Sequence, residues 1–285
     1  MSWEKLIKEN KPLVVAGTIN AYSALLAERA GIKAIYLSGG GVANASYGLP
    51  DLAMTSREDV LEDVRRIRSA SELPLLVDID TGWGSALAIS RSIKEMISAG
   101  ASGVHIEDQV SEKRCGHRPN KEIVSSEEMV DRIKAAKDAQ TDDNFLLMAR
   151  TDAFAKGGLQ EVIDRSNAFI EAGAGAIFPE AISTLKDYEE ISKNVSKPIL
   201  ANITEFGMTP LFPHNELAKA GVKIVLHPLS AFRAMSKAAE KVYATLASGG
   251  DHEGLLDKMQ TRDELYDVLD YHMYEEKIDK LFEKN

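Results

Sequence analysis

Short apolar runs recur along the chain, and each is followed by a stretch whose apolar positions return at helical spacing. The runs are VVAGTI at 14–19, AIYLSGG at 34–40, LPLLVDIDTG at 73–82, GVHIEDQ at 103–109, FLLMARTDA at 145–153, AIFPEA at 176–181, PILANIT at 198–204 and KIVLHPLS at 223–230. In 55–72, Val60, Val64 and Ile67 stand at i, i+4 and i+7, one face of a helix; in 158–173, Leu159, Val162, Ile163 and Ile170 do the same. Ser125-Ser126-Glu127-Glu128 has the hydroxyl-then-acid pattern of a helix start, and Gly31, Gly100, Gly173 and Gly221 follow helical stretches as C-terminal glycines do.

Strands that are apolar nearly throughout and alternate with helices predict a parallel sheet. Eight repeats before residue 250 predict an α/β fold closed into a (β/α)8 TIM barrel over 1–249. An open doubly wound sheet lacks its cue, because no G-x-G-x-x-G follows the first strand and no Walker A motif exists. Residues 250–285 lie past the eighth helix. Their stretch TRDELYDVLDYHMYEEKIDKLF is amphipathic, with Leu265, Val268 and Leu269 on one face, and predicts a helical extension that packs on its own barrel or forms an oligomer contact.

Composition narrows the function. The 285 residues carry 34 Lys+Arg against 44 Asp+Glu, a net charge of −10, which opposes a nucleic-acid partner. One cysteine excludes an internal disulfide and a cysteine-based zinc cluster. No apolar run reaches the ~18 residues of a membrane span, and the start MSWEKLIKENKP has neither a signal core nor a transit-peptide composition. A cytoplasmic location and no membrane partner are the expectation.

The unusual polar groups fall at the C-terminal ends of the strands, where barrels of this type build active sites. They are Ser38 with Gly39–Gly41, Asp78 and Asp80, His105 with Glu107 and Asp108, Arg150 with Thr151 and Asp152, Glu180, Asn202 and Thr204, and Arg233 beyond the last strand. Side chains at i and i+2 on a strand share a face, so Asp78 and Asp80 should face the mouth together, as should His105 and Glu107. Neighbouring carboxylates repel unless a cation or proton intervenes, and an oxygen-only donor set suits Mg2+, with Mn2+ as the alternative. The plainer account is that these acids pair with Arg150 and nearby lysines. Gly39–Gly41 is either a tight turn or a place where backbone N–H groups approach an anion. Cys115 lies in the polar loop Lys113-Arg114-Cys115-Gly116-His117-Arg118, among four potential cations that favour a reactive thiol; the plain account is a packed small hydrophobe.

LSGGG (37–41), DIDTGWG (78–84), HIEDQ (105–109), KRCGH (113–117), ARTDA (149–153), FPEA (178–181) and NITEFG (202–207) occur together and in this order. Essentially the whole chain thereby resembles the isocitrate lyase/phosphoenolpyruvate mutase superfamily, and the K-R-C-G-H loop resembles its lyase branch. RPNK (118–121), PLSAFRAM (228–235) and MQTRDELY (259–266) extend the resemblance. Trp83 stands where the family commonly has Phe, and His227 where it often has Tyr.

The resemblance implies a barrel, Mg2+, and cleavage of the tricarboxylate 2-methylisocitrate to pyruvate and succinate, a step of the methylcitrate cycle in propionate catabolism. It also implies a homotetramer with the C-terminal helix exchanged between subunits. It assigns Asp78 and Asp80 to the metal, with Glu107 behind them, and Cys115 as the acid that protonates the succinate carbanion. Arg150, Ser38, Gly39, Gly40, Gly116, Glu180, Asn202, Thr204, Arg233 and Arg262 form the anion shell, and Phe178 and Leu226 the wall around the substrate methyl. The base is open, with Tyr36 a candidate by position. The alternatives are another reaction of the superfamily, such as isocitrate cleavage or oxaloacetate decarboxylation, or a non-catalytic carboxylate-binding barrel.

Overall fold

A computed structural model describes residues 2–116, 121–250 and 253–282. The chain forms two compact units, 1–232 and 233–285.

Eight parallel strands line the first unit: β1 Leu13–Gly17, β2 Ala34–Leu37, β3 Leu75–Asp78, β4 Gly103–Glu107, β5 Leu146–Thr151, β6 Ala176–Pro179, β7 Leu200–Asn202 and β8 Ile224–His227. Their hydrogen-bonded order is β6-β5-β4-β3-β2-β1-β8-β7. A parallel bridge between Ile177 and Ile199, with Ile177 N–H donating to the Pro198 carbonyl at 2.9 Å, joins the two ends into a barrel. The strands stop earlier than the apolar runs predict. LSGG bends at Ser38 into a helical turn at Gly39–Gly41, and DIDTG leaves the sheet after Asp78. The polar tails thus become loops gathered at one end.

Alternation along each strand makes two apolar layers. Ile35, Leu37, Val77, Val104, Ile106, Leu147, Ala149, Ile177, Ala201 and Val225 face the surrounding helices. Val15, Tyr36, Leu76, Met148, Phe178, Leu200, Ile224 and Leu226 fill the barrel with Trp3 and Leu6 of the first helix. The Trp3 indole N–H donates to the Ser102 carbonyl at 2.8 Å, fixing that helix across the N-terminal end.

The helix signals behave as expected. Val60, Val64 and Ile67 of helix Arg57–Ala70 are fully buried, Ser125 caps its helix by accepting from Glu128 N–H, and the four helix-ending glycines have φ between +88° and +117°. In the second unit, the predicted continuous amphipathic stretch is two helices, Arg262–Val268 and Tyr271–Phe282, because Asp270 takes a left-handed φ of +52°. Thr261 caps the first of them reciprocally with Glu264. The helix Ser230–Ala247 leads into this unit. Among the described residues, no helix is long and apolar enough to cross a membrane.

The β1–β8 seam permits no side chain at position 17, where a Cβ would collide with the Pro228 carbonyl. Gly17→Ala is therefore expected to lose ~1–3 kcal/mol or more of stability in urea unfolding. Gly254→Ala, whose Cβ meets nothing, should stay within ~0.5 kcal/mol.

Candidate active site

The strand ends gather a buried charged cluster at the barrel mouth. Asp78 ends β3 with its carboxylate inside the barrel, 4% exposed. Its Oδ2 accepts from Gly39 N–H at 3.1 Å and its Oδ1 from Asp80 N–H at 3.0 Å. Asp80 does not reach the mouth by strand alternation. It has left the sheet and takes a φ of +47°, a turn that brings its carboxylate back beside that of Asp78. A Cβ on Gly39 would touch both, at 3.1 Å from Asp80 and 3.2 Å from Asp78. Lys113 neutralises part of this charge, 2.7 Å from Asp80 Oδ1 and 2.5 Å from Asp51 Oδ1.

The electrostatics follow from burial. Burial raises the Asp80 carboxyl; Lys113 opposes it and Asp78 adds to it, leaving the group at about 6. Burial alone would also raise Asp78, but His105, Lys113 and Arg150 outweigh it and hold it at about 2. Glu107 is held well above the ordinary carboxylate range by burial, against the opposing charges of Arg150 and Lys113. Its Oε1 is buried without a hydrogen-bond partner. Burial pushes His105 down to about 4, so its ring is neutral at neutral pH.

Two adjacent carboxylates plus an orphaned buried carboxylate oxygen are hard donors that a divalent cation would satisfy, so the residues fit Mg2+. Among the described residues, no three His, Cys, Asp or Glu side chains form a closed cage.

Arg150, from β5, is the second centre. Its guanidinium meets Asp152 at 2.9 and 3.2 Å, Glu107 at 3.3 Å and Glu180 at 3.3 Å, and lies 5.1 Å above the Phe178 ring. Asn202 Nδ2 donates to Glu180 Oε2 at 3.2 Å, and Thr204 is buried nearby in the chain. The Tyr36 hydroxyl lies 2.9 Å from His105 Nε2 and 3.4 Å from Asp78 Oδ2. Burial and the Asp78 charge raise its phenol well above the ordinary value. Phe178 and Leu226 belong to the buried barrel filling.

Cys115 is half-buried in the loop after β4. Gln109 holds that loop, accepting from Arg114 N–H and donating to its carbonyl, both at 2.9 Å. Of the four expected cations, Lys113 is committed to Asp80 and Asp51, and Arg114 is exposed. His117 and Arg118 lie outside the described residues. Gly116 is pressed against the site, since a Cβ there would collide with Arg150 and Glu180. Ser38 is half-buried at the start of the glycine turn, and a Cβ on Gly40 would come within 3.0 Å of Asp51. The Gly39 N–H is already bonded to Asp78, so the turn braces a carboxylate. Arg233 and Arg262 lie in the second unit. Trp83 donates to the Thr55 carbonyl at 3.3 Å, and His227 pairs with His214, Nε2 to Nε2 at 2.8 Å.

Sequence reasoning missed Asp51, Lys121 and the link from Asp108 to Arg165. Asp108 accepts from Thr151 Oγ1 at 2.7 Å, Asp152 N–H at 2.9 Å and Arg165 at 3.2 Å. These partners are far apart in sequence and leave no local signal. A cavity of about 880 Å3 opens at the other end of the barrel, lined by Trp3, Ile7 and Lys223. None of the strand-end polar groups lines it.

An eight-stranded β/α barrel with buried acids, an arginine and a cysteine loop at its mouth has the form of a barrel enzyme acting on an anionic substrate. The chain belongs to the phosphoenolpyruvate phosphomutase family, whose pattern residues 3–247 match. It is 57% identical to the 2-methylisocitrate lyase of Shewanella oneidensis, over 100% of this chain and 98% of that protein. It is 59% identical to the 2-methylisocitrate lyase of Escherichia coli K12, over 98% of this chain and 95% of that protein. The structure of phosphonopyruvate hydrolase in complex with oxalate and Mg2+ is similar at a TM-score of 0.85 and 28% identity, covering 98% of this chain and 97% of that one.

Arg165 is the cation that faces buried Asp108. Arg165→Met is expected to lower stability by about 3 kcal/mol in urea unfolding, because a carboxylate would be left buried without its counter-charge.

Proposed function

We propose that this chain is a metal-dependent carbon–carbon lyase that cleaves 2-methylisocitrate to pyruvate and succinate. The observation that carries this reading is the 57–59% identity to 2-methylisocitrate lyases over nearly the whole of both chains. The buried Arg150 at the mouth supports it, because a carboxylate substrate needs a cation to pair with on a protein whose net charge is −10.

In the cleavage, a base takes the proton of the substrate hydroxyl and the oxygen electron pair becomes the pyruvate carbonyl. The carbon–carbon bond breaks, and its electrons stay on the succinate half as a carbanion. We assign Cys115 as the acid that protonates that carbon, so the net proton transfer runs from hydroxyl oxygen to succinate carbon. Asp78 and Asp80, with Glu107 behind them, would hold Mg2+ (Mn2+ as the alternative), which supplies Lewis-acid stabilisation of negative charge on the hydroxyl side of the substrate. Arg150 binds carboxylate oxygens through its planar fork. Glu180 and Asn202 hold one another and orient that fork. Ser38, Gly39, Gly40, Gly116 and Thr204 complete the anion shell of this unit. Tyr36 serves as a neutral hydrogen-bond donor, and the loop carrying Cys115 excludes water.

We further infer a homotetramer in which residues 250–285 are exchanged between subunits. Tyr274, Ile278, Leu281 and Phe282 support it: they recur at i, i+4, i+7 and i+8 and stay 54–77% exposed in the single chain. A cytoplasmic location fits an enzyme whose one cysteine must remain a thiol.

The deciding experiment is product identification with purified protein, Mg2+ and separate isomers of 2-methylisocitrate and isocitrate. Pyruvate and succinate are expected from 2-methylisocitrate, with activity lost in excess EDTA. One methyl group against apolar side chains is worth ~10–200-fold in kcat/KM, so a finite preference over isocitrate is expected. Equal values for the two substrates would point to a general lyase.

Cys115→Ser should lower kcat by ~10²–10⁴-fold with Tm nearly unchanged, since a hydroxyl is a far weaker acid than a thiol. A normal kcat with a lowered Tm would assign Cys115 to packing.

A further inference from the structure

Lys121 is a buried cation to which the mechanism above gives no part. It is 6% exposed, an unusual position for a lysine, and two contacts hold it there. Its Nζ donates to the Gly116 carbonyl at 2.6 Å and forms an ion pair with Asp152 Oδ1. Gly116 directly follows Cys115 in the chain and is packed against Arg150 and Glu180. Asp152 is itself 2% exposed and clasps Arg150 through both oxygens. Asp152 Oδ1 is therefore shared between Lys121 and Arg150. The backbone of Asp152 is pinned by Asp108 at 2.9 Å, so the carboxylate has little freedom to follow either partner.

We propose that Lys121 is a positioning residue: its ammonium ties the loop that carries Cys115 to the Arg150 guanidinium through Asp152. The functional half of this inference rests on the lyase reading for the roles of Arg150 and Cys115.

The electrostatic need is visible in the charges around Arg150. Three carboxylates, Glu107, Asp152 and Glu180, lie within 3.3 Å of one guanidinium. Without a second cation they would neutralise it, and little attraction would remain for a substrate carboxylate. Lys121 offsets the nearest of the three. Burial alone would raise the Asp152 carboxyl, but Arg150 and Lys121 outweigh it and hold it below its ordinary range. The same ammonium secures the backbone beside Cys115. Loop docking and the charge left available on Arg150 thus depend on one atom. Gln109 offers a contrast within the same loop, because it grips the backbone of Arg114 with a neutral amide.

Two variants separate the contacts. Lys121→Met removes both the bond to Gly116 and the charge on Asp152. Lys121→Gln removes the charge and keeps an N–H donor for the Gly116 carbonyl. Cys115 is the single cysteine, so iodoacetamide modification of the resting enzyme reads loop docking without substrate. Lys121→Met should speed alkylation and raise KM for 2-methylisocitrate, each about ten- to a hundredfold, as expected for losing a charged hydrogen bond. Lys121→Gln should raise KM similarly while alkylating nearly at the wild-type rate. Circular dichroism and Tm establish that each variant is folded, and if Lys121→Met fails to fold, Lys121→Gln decides alone through KM. An unchanged alkylation rate in folded Lys121→Met, or an unchanged KM in either folded variant, overturns the proposal and leaves Lys121 a structural ion pair. Wild-type protein that does not cleave 2-methylisocitrate sinks the lyase reading instead, and the alkylation rates then judge the loop contact by themselves.

Discussion

A guanidinium taken out of water must be given its counter-charges inside the protein, and Arg150 imposes that condition on the whole barrel mouth. The desolvation cost is several kcal/mol per ion even after relaxation. Glu107 on β4, Asp152 just past β5 and Glu180 just past β6 together meet it. Each of these acids then needs partners of its own. Asp152 takes Lys121, and Glu180 takes Asn202 and the Ala181 N–H. Glu107 keeps one buried oxygen without a hydrogen-bond partner. The network is thus a chain of obligations that begins with one buried cation.

The barrel makes that network possible because parallel strands all end on the same side. Residues as distant in sequence as Asp78 on β3 and Asn202 on β7 come to the same end of one ring through strand direction alone. The strands are short, three to six residues, so the apolar filling stops soon below the charges. Phe178 marks the boundary, with the Arg150 cation over its face and the His105 ring 5.2 Å away at its edge.

Much of this was legible in the residues. The recurrence of nearly continuous apolar runs, each followed by helical spacing, predicted eight strands, and the inward sets such as Tyr36, Met148 with Arg150, and Phe178 with Glu180 follow the strand period of two. The acids at the mouth were legible as a group because they recur at equivalent strand ends. The route by which Asp80 arrives was not, since a strand pattern cannot announce that the backbone turns left-handed two residues after the sheet ends. The partners of Lys113 were hidden as well. Asp80 and Asp51 lie 33 and 62 positions away, and a lysine in a polar loop looks the same whether it is solvated or buried. The break at Asp270 was concealed by an apolar pattern that runs through it without interruption.

The Trp3 indole gives the barrel a directional character. With its N–H bonded to Ser102 and its ring packed among the inward side chains, it closes the N-terminal end beneath a barrel already filled by Phe178, Leu226 and their neighbours. Whatever enters at the mouth must leave by the mouth. A reaction that makes two fragments from one molecule then acquires a queue: the fragment lodged deeper waits for the shallower one to depart, and the shallower one, added back, blocks the exit. Order of release and product inhibition then follow from a barrel filled below its mouth, set by plumbing rather than by affinity.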